Sequence, residues 1–390
     1  MKVRFYASFP GVIIIIVVLF LYLQDVMRFQ FLTYRYSEYY QLYVLLYFLL
    51  VLFGTIQYKR EKIIYHTIKY IGSFGILVTA ITFLYGFWRD DQSLSLYLSV
   101  PSCFMSYFTF LYISRNVSSP KLMFVLDIFV CGLIIVYFID YNNIYLVSLA
   151  RNNAVYIVLL TLPLVMLNRN RVVSIILSII ILVALISSAK RTGTIATFLG
   201  IISYLFLALK NVDKHPIYNI TIFLSVGLFA FYLYGSFIDS LLFERLSTME
   251  ETEGSTRYEV MQTSISLIAD SNFYQYILGH GWNQVFEDSK LKLSAHNDFI
   301  EVFYDFGIIG FMFFVAICVQ IVKICRMLLF RKNYYSGSIV CFIVVFLFLT
   351  MFSHIIIYTH LCIIMFAYLG IFSGIINRNE NYRNFDISLG

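Results

Sequence analysis

The chain has 390 residues, of which 60% are hydrophobic and only 13% charged, with a mean hydropathy of +0.81 and a formal net charge of +6. Soluble domains carry about a quarter charged residues, so this composition excludes an ordinary soluble enzyme and points to an all-α polytopic membrane protein. The positive balance reads as anchoring to the inner leaflet and is no sign of nucleic-acid binding, and no nucleic-acid partner is expected.

A helix needs about 20 mainly apolar residues to cross the hydrocarbon core. Twelve such spans are predicted, at about 6–23, 40–57, 68–87, 94–113, 122–139, 152–168, 172–189, 192–209, 217–237, 298–322, 336–353 and 356–376. The last two come from an apolar stretch, 333–377, that carries no charge other than histidine. It is too long for one crossing, so it is folded into a hairpin at Ser353-His354. A transmembrane β-barrel would need alternating apolar and polar residues, and runs such as 12–23 and 172–185 do not alternate.

Basic residues set the orientation. With the N-terminus inside, 18 of the 28 Lys and Arg fall on the cytoplasmic side and 17 of the 22 acids on the other. Both termini are then cytoplasmic. The first span has the basic start of a signal peptide but no small-residue cleavage site after Leu23, so it is expected to be retained. Six cysteines lie in or beside spans with no CxxC pair, which predicts neither disulfides nor a metal site.

The chain reads as a single membrane domain, 1–390, with one long connection inserted at 239–295 between spans nine and ten on the outer face. Long loops in compact proteins are usually functional or disordered; Trp282 and several Tyr and Phe favour order here. Within it, Thr256-Arg257-Tyr258-Glu259 matches a capping box, and Tyr258, Met261, Ile265 and Ile268 follow on one helical face, predicting a helix over 257–269. Leu278-Gly279-His280-Gly281-Trp282 is a Gly-rich turn that lets the backbone pass close to something.

The most informative segment follows: Ser294-Ala295-His296-Asn297-Asp298-Phe299-Ile300-Glu301. It gathers polar groups at the mouth of span ten, and such groups at a membrane boundary are a functional-site hypothesis by default. With Ser294 as cap, His296 is expected in the first helical turn, and the helix continues through Gly307-Ile308-Ile309-Gly310. Asp298, Glu301 and Asp305 are spaced to share one face. Acids near a helix N-terminus are favoured by the dipole alone; His296 is less easily explained and fits a general base. Arg257 in the first turn of the loop helix could hold an anion with the free N–H groups there or pair with a neighbouring acid. Lys190-Arg191, between spans seven and eight on the outer side, could bind a phosphate-bearing lipid or simply reach ordinary headgroups. Asp127, inside span five, reads as structurally paired. His354 and His360, near the outer ends of the last two spans, have no companions in sequence and read as structural; His280 is close in sequence to His296, but no further Cys or His supports a zinc site. No Gly-x-Ser-x-Gly and no Walker motif occurs, which argues against a serine hydrolase and an ATPase.

The segments Ser188-Ala189-Lys190-Arg191-Thr192-Gly193, the Arg257 region, Leu278-Gly279-His280-Gly281 and His296-Asn297-Asp298-Phe299 through Gly307-Ile308-Ile309-Gly310 resemble, in order and topology, the O-antigen ligase/polymerase superfamily of bacterial surface-polysaccharide enzymes. The similarity runs from about 172 to 325. The resemblance implies a GT-C-like, metal-independent glycosyltransferase in the bacterial inner membrane, with no cofactor. Its active site would face the periplasm. The partners it implies are an undecaprenyl-diphosphate-linked oligosaccharide and membrane lipid, with a chain-length regulator and a flippase acting beside it. Arg191 and Arg257, with Lys190, would hold the diphosphate, and His296 would activate the acceptor hydroxyl. The assignment of Glu301 or Asp298 to orient His296 comes from helical spacing. The His-Asn-Asp-Phe-Ile-Glu run looks closer to a Wzy-type polymerase, which joins lipid-linked repeat units. A ligase, which moves the chain to lipid A–core, is the alternative. A transporter or flippase should carry charged or broken helices at mid-membrane, and only Asp127 sits there.

Overall fold

Every regular element among the described residues is a helix, as unbroken apolar runs require when backbone groups must be satisfied within their own segment. The computed structural model describes residues 36–60, 66–86, 94–116, 171–187, 191–212, 254–289, 293–330, 335–356 and 358–387, with parts of 130–137 and 155–167. In chain order the helices are α1 (Tyr36–Arg60), α2 (His66–Gly86), α3 (Leu94–Asn116), α4 (Leu162–Val165), α5 (Arg171–Ser187), α6 (Arg191–Val212), α7 (Gly254–Ala269), α8 (Phe273–Leu278), α9 (Gln284–Asp288), α10 (Asp298–Phe330), α11 (Ser336–Phe352) and α12 (Thr359–Ile387).

Helices α1, α2, α3, α5, α6, α10, α11 and α12 stand where spans two, three, four, seven, eight, ten, eleven and twelve were expected. Span six is represented by helical residues around α4. The spans expected at 6–23 and 217–237 lie outside the described residues, as do most of 122–139 and its Asp127. One described helix, Asp298–Leu329, is long and apolar enough to cross a membrane; shorter apolar helices run through α1, α2, α5, α6, α11 and α12. The apolar stretch after residue 333 does break, between α11 and α12, and His354 lies in the break.

Helix α3 is the hub, packing on α1, α2 and α12. Its contact with α12 includes a row of polar groups as well as aromatic rings. Cys103 Sγ donates to the Thr359 carbonyl (3.3 Å), Ser106 Oγ to that of Ile363 (3.0 Å) and Ser114 Oγ to that of Gly370 (3.4 Å), while Tyr107 OH meets Ser373 Oγ (3.2 Å). Small residues with interhelical hydrogen bonds are what hold helices together where lipid removes the hydrophobic drive.

Phe74 joins α2 to α3 and α10. Its ring lies edge-on to Phe104 of α3 (5.5 Å) and to Phe306 of α10 (6.2 Å), and tilted against Phe314 of α10 (6.1 Å). Phe104 in turn meets Phe366 of α12 at 5.0 Å. A second group forms where α11 packs on α6 and on the segment around α4; there Ser338 Oγ donates to the Pro163 carbonyl (2.6 Å), and Tyr368 OH donates to that of Leu160. Helices α7, α8 and α9, from the long connection, all pack on α10. Helix α10 therefore links the apolar bundle to the connection that precedes it.

Candidate active site at the start of helix α10

The N-terminus of α10 is built by Asn297. Its Oδ1 accepts from the amides of Phe299 (3.0 Å) and Ile300 (3.3 Å), and its carbonyl accepts from Ile300 and Glu301 (both 3.1 Å). Asn is among the strongest N-caps because its side chain satisfies amides that no helical carbonyl can reach. This corrects the expected cap at Ser294. His296 therefore precedes the helix instead of lying in its first turn, and it takes a left-handed conformation with φ of 53°, a region where Asn, Asp and His are enriched.

Asp298, Glu301 and Asp305 do share a face, and all three are buried. Each serves a different segment. Both Asp298 oxygens accept from the Ile355 amide (3.0 Å), and one also accepts from Ile356 (3.1 Å), so this carboxylate anchors the break between α11 and α12. Asp305 accepts from the amides of Asn283 (2.7 Å), Gln284 (2.9 Å) and Val285 (3.3 Å), capping α9 from a distance. Glu301 faces the backbone amides of Ala295 and His296 but completes no hydrogen bond of ordinary geometry with either oxygen. A buried carboxylate left in that state costs more than 1–3 kcal/mol, roughly the penalty for a neutral group, and such groups in native structures call for an explanation in chemistry.

The Gly-rich turn packs backbone to backbone against α10. The amides of His280 and Gly281 donate to the carbonyls of Tyr304 (3.0 Å) and Asp305 (2.8 Å). A Cβ on Gly279 would lie 2.2 Å from the Asp305 carbonyl oxygen, and one on Gly307 would lie 2.2 Å from that of Ile277. Gly307 has φ 64° and ψ −172°, so α10 is kinked there instead of running straight through as the sequence suggested. Tyr85 OH reaches across from α2 to the Gly279 carbonyl (2.6 Å). The His280 ring stacks on Tyr304 at 4.0 Å and shares a hydrogen bond with Ser271 (2.8 Å). Burial pushes the His280 pKa down, with Asp288 partly opposing. The ring of His280 thus packs within the connection, against Tyr304 and Ser271.

His354 is the residue that sequence reasoning missed. It is buried, and its ring stacks on His296 with centroids 4.8 Å apart and planes 21° from parallel. The Tyr358 ring lies 4.7 Å from that of His354 and within electrostatic reach of Glu301. The only sequence signal was the histidine itself, at the break of an apolar stretch.

Arg191 is the first residue of α6 and Arg257 lies in the first turn of α7, but their side chains are outside what is described, and Lys190 is outside altogether. Helix α7 begins at Gly254, so Thr256 lies inside the helix and is not its cap.

Residues 176–315 match a family model described as O-antigen ligase. The match includes Arg191, Arg257, the Gly-rich turn and His296 through Gly310. It ends before His354. No curated protein matches the chain.

Proposed function

We propose, from the match of residues 176–315 to a family model described as O-antigen ligase, that this membrane protein is an O-antigen or related surface-polysaccharide polymerase. It transfers a glycan from an undecaprenyl-diphosphate carrier to the sugar hydroxyl of a second lipid-linked repeat unit. The observation that supports the reading is the placement of His296, a histidine held outside the helix it precedes, with its backbone amide facing the buried carboxyl group of Glu301 and its ring stacked on that of His354.

His296 takes the proton of the acceptor hydroxyl. The oxygen attacks the anomeric carbon from the face opposite the carrier. The bond from that carbon to the diphosphate breaks, and the electron pair leaves with undecaprenyl diphosphate, so the product anomer is inverted. Arg191 and Arg257, with Lys190 beside them, neutralise the departing diphosphate. A well-placed donor to developing charge contributes a few kcal/mol, so the reaction runs without a metal. Glu301, facing the His296 amide, orients the turn that carries the imidazole, and Asp298 fixes the backbone that follows His354.

The description of the matching family favours a second reading, a ligase that uses the same chemistry with lipid A–core as acceptor. A lipopolysaccharide gel from a strain lacking the gene separates the two. Core bearing one repeat, with the ladder gone, is expected. Bare core with lipid-linked polymer accumulating would make the protein a ligase, and an unchanged ladder would remove it from this pathway.

A further inference from the structure

We propose that His354 is a positioning residue for His296: it holds the plane of the catalytic imidazole and shields the cation that forms on it. The inference rests on the reading of His296 as the base.

A general base must be held in one orientation, because misplacement by about 1 Å can lower a rate by about a hundredfold. His296 sits in a left-handed turn ahead of the Asn297 cap, so the α10 backbone does not fix its ring. The face of His354 does, at 4.8 Å and 21°. Stacking fixes the plane of an imidazole without engaging either ring nitrogen. It also sets a π-face beside the ring that gains positive charge, which favours a cation.

The partner is itself gripped on both sides, and by the residues that follow His296. Asn297 Nδ2 donates to the Met351 carbonyl (3.3 Å), three residues before His354. Asp298 accepts from Ile355 and Ile356, immediately after it. The tripeptide His296-Asn297-Asp298 thus sets its first ring on His354 and uses the next two side chains to hold the turn that carries it. Tyr358, 4.7 Å away, packs behind that turn. The whole arrangement reaches outside the 176–315 match.

The test uses full-length protein purified in detergent, with an undecaprenyl-diphosphate-linked repeat unit as substrate and rates normalised to folded protein. His296→Ala should be inactive. His354→Ala should lose about tenfold or more in kcat with KM for the lipid-linked substrate unchanged, and His354→Phe, which keeps the stacking face, should recover most of that loss. A purely structural role would lower the yield of folded protein and leave kcat per folded molecule alone; that result, or a wild-type kcat for His354→Ala, overturns the inference while leaving the base in place. An active His296→Ala would remove both.

Discussion

Three carboxylates on one face of α10 show how the same side-chain chemistry divides by what surrounds it. Asp298 and Asp305 are each enclosed by backbone amides and act as remote caps. Glu301 lies between them, equally buried, without that satisfaction. What Glu301 does face is the backbone amides of Ala295 and His296, so it bears on the turn that carries the imidazole. Glu301→Gln keeps the volume and removes the charge. The expected result is a fall of about tenfold in kcat, or about 1.4 kcal/mol of barrier, with the thermal midpoint in detergent unchanged or raised. A wild-type kcat would leave Glu301 with a packing role only. The acidic face itself was legible from i, i+3, i+7 spacing. What each acid does was not, because the partners of Asp298 come from Ile355 and Ile356 and those of Asp305 from Asn283 to Val285. His354 was illegible for the same reason: only the fold gives it His296 as a neighbour.

At the scale of elements, α10 and the preceding connection are locked through glycine. Gly279 and Gly307 both occupy positive-φ, extended-ψ conformations that are essentially closed to other residues, at a cost of about 1–3 kcal/mol when forced. Each also lies where a Cβ would strike backbone, which cannot rotate away. Gly307→Ala should therefore lower the thermal midpoint in detergent by several degrees and reduce transfer in step with folded protein. Gly132→Ala, at a glycine where an added Cβ would meet nothing within 4 Å, should change neither. Equal behaviour of the two variants would mean that the turn and the helix are not packed as described. Apolar length located the starts of most described helices within a few residues, because burial in lipid and in protein demands the same long apolar runs, but α10 and α12 continue to Phe330 and Ile387, beyond the ends expected at 322 and 376. The kink did not show, since Gly-Ile-Ile-Gly inside an apolar run is compatible with a straight helix. The cap was assigned to Ser294 for a related reason: serine and asparagine both cap well, and only the backbone decides which one is in register.

The whole molecule poses the question of which side of the membrane holds this site. A carrier that delivers polymer-sized glycans for transfer is used where those glycans reside, so the proposed reaction requires His296 on the outer face. The charge pattern makes the same demand independently. The assignment of 18 of 28 basic residues to one side and 17 of 22 acids to the other holds only if 239–295 faces outward, and short-loop Lys and Arg resist translocation. Single cysteines test it. Lys290→Cys, in the connection before α10, should react with a membrane-impermeant maleimide in intact spheroplasts, above the background set by the native cysteines. Lys62→Cys, between α1 and α2, should react only after lysis. The reverse pattern would put His296, Glu301 and His354 on the cytoplasmic side. The stacked pair and the buried carboxylate would remain as described, but their substrate could no longer be a glycan already carried across the membrane.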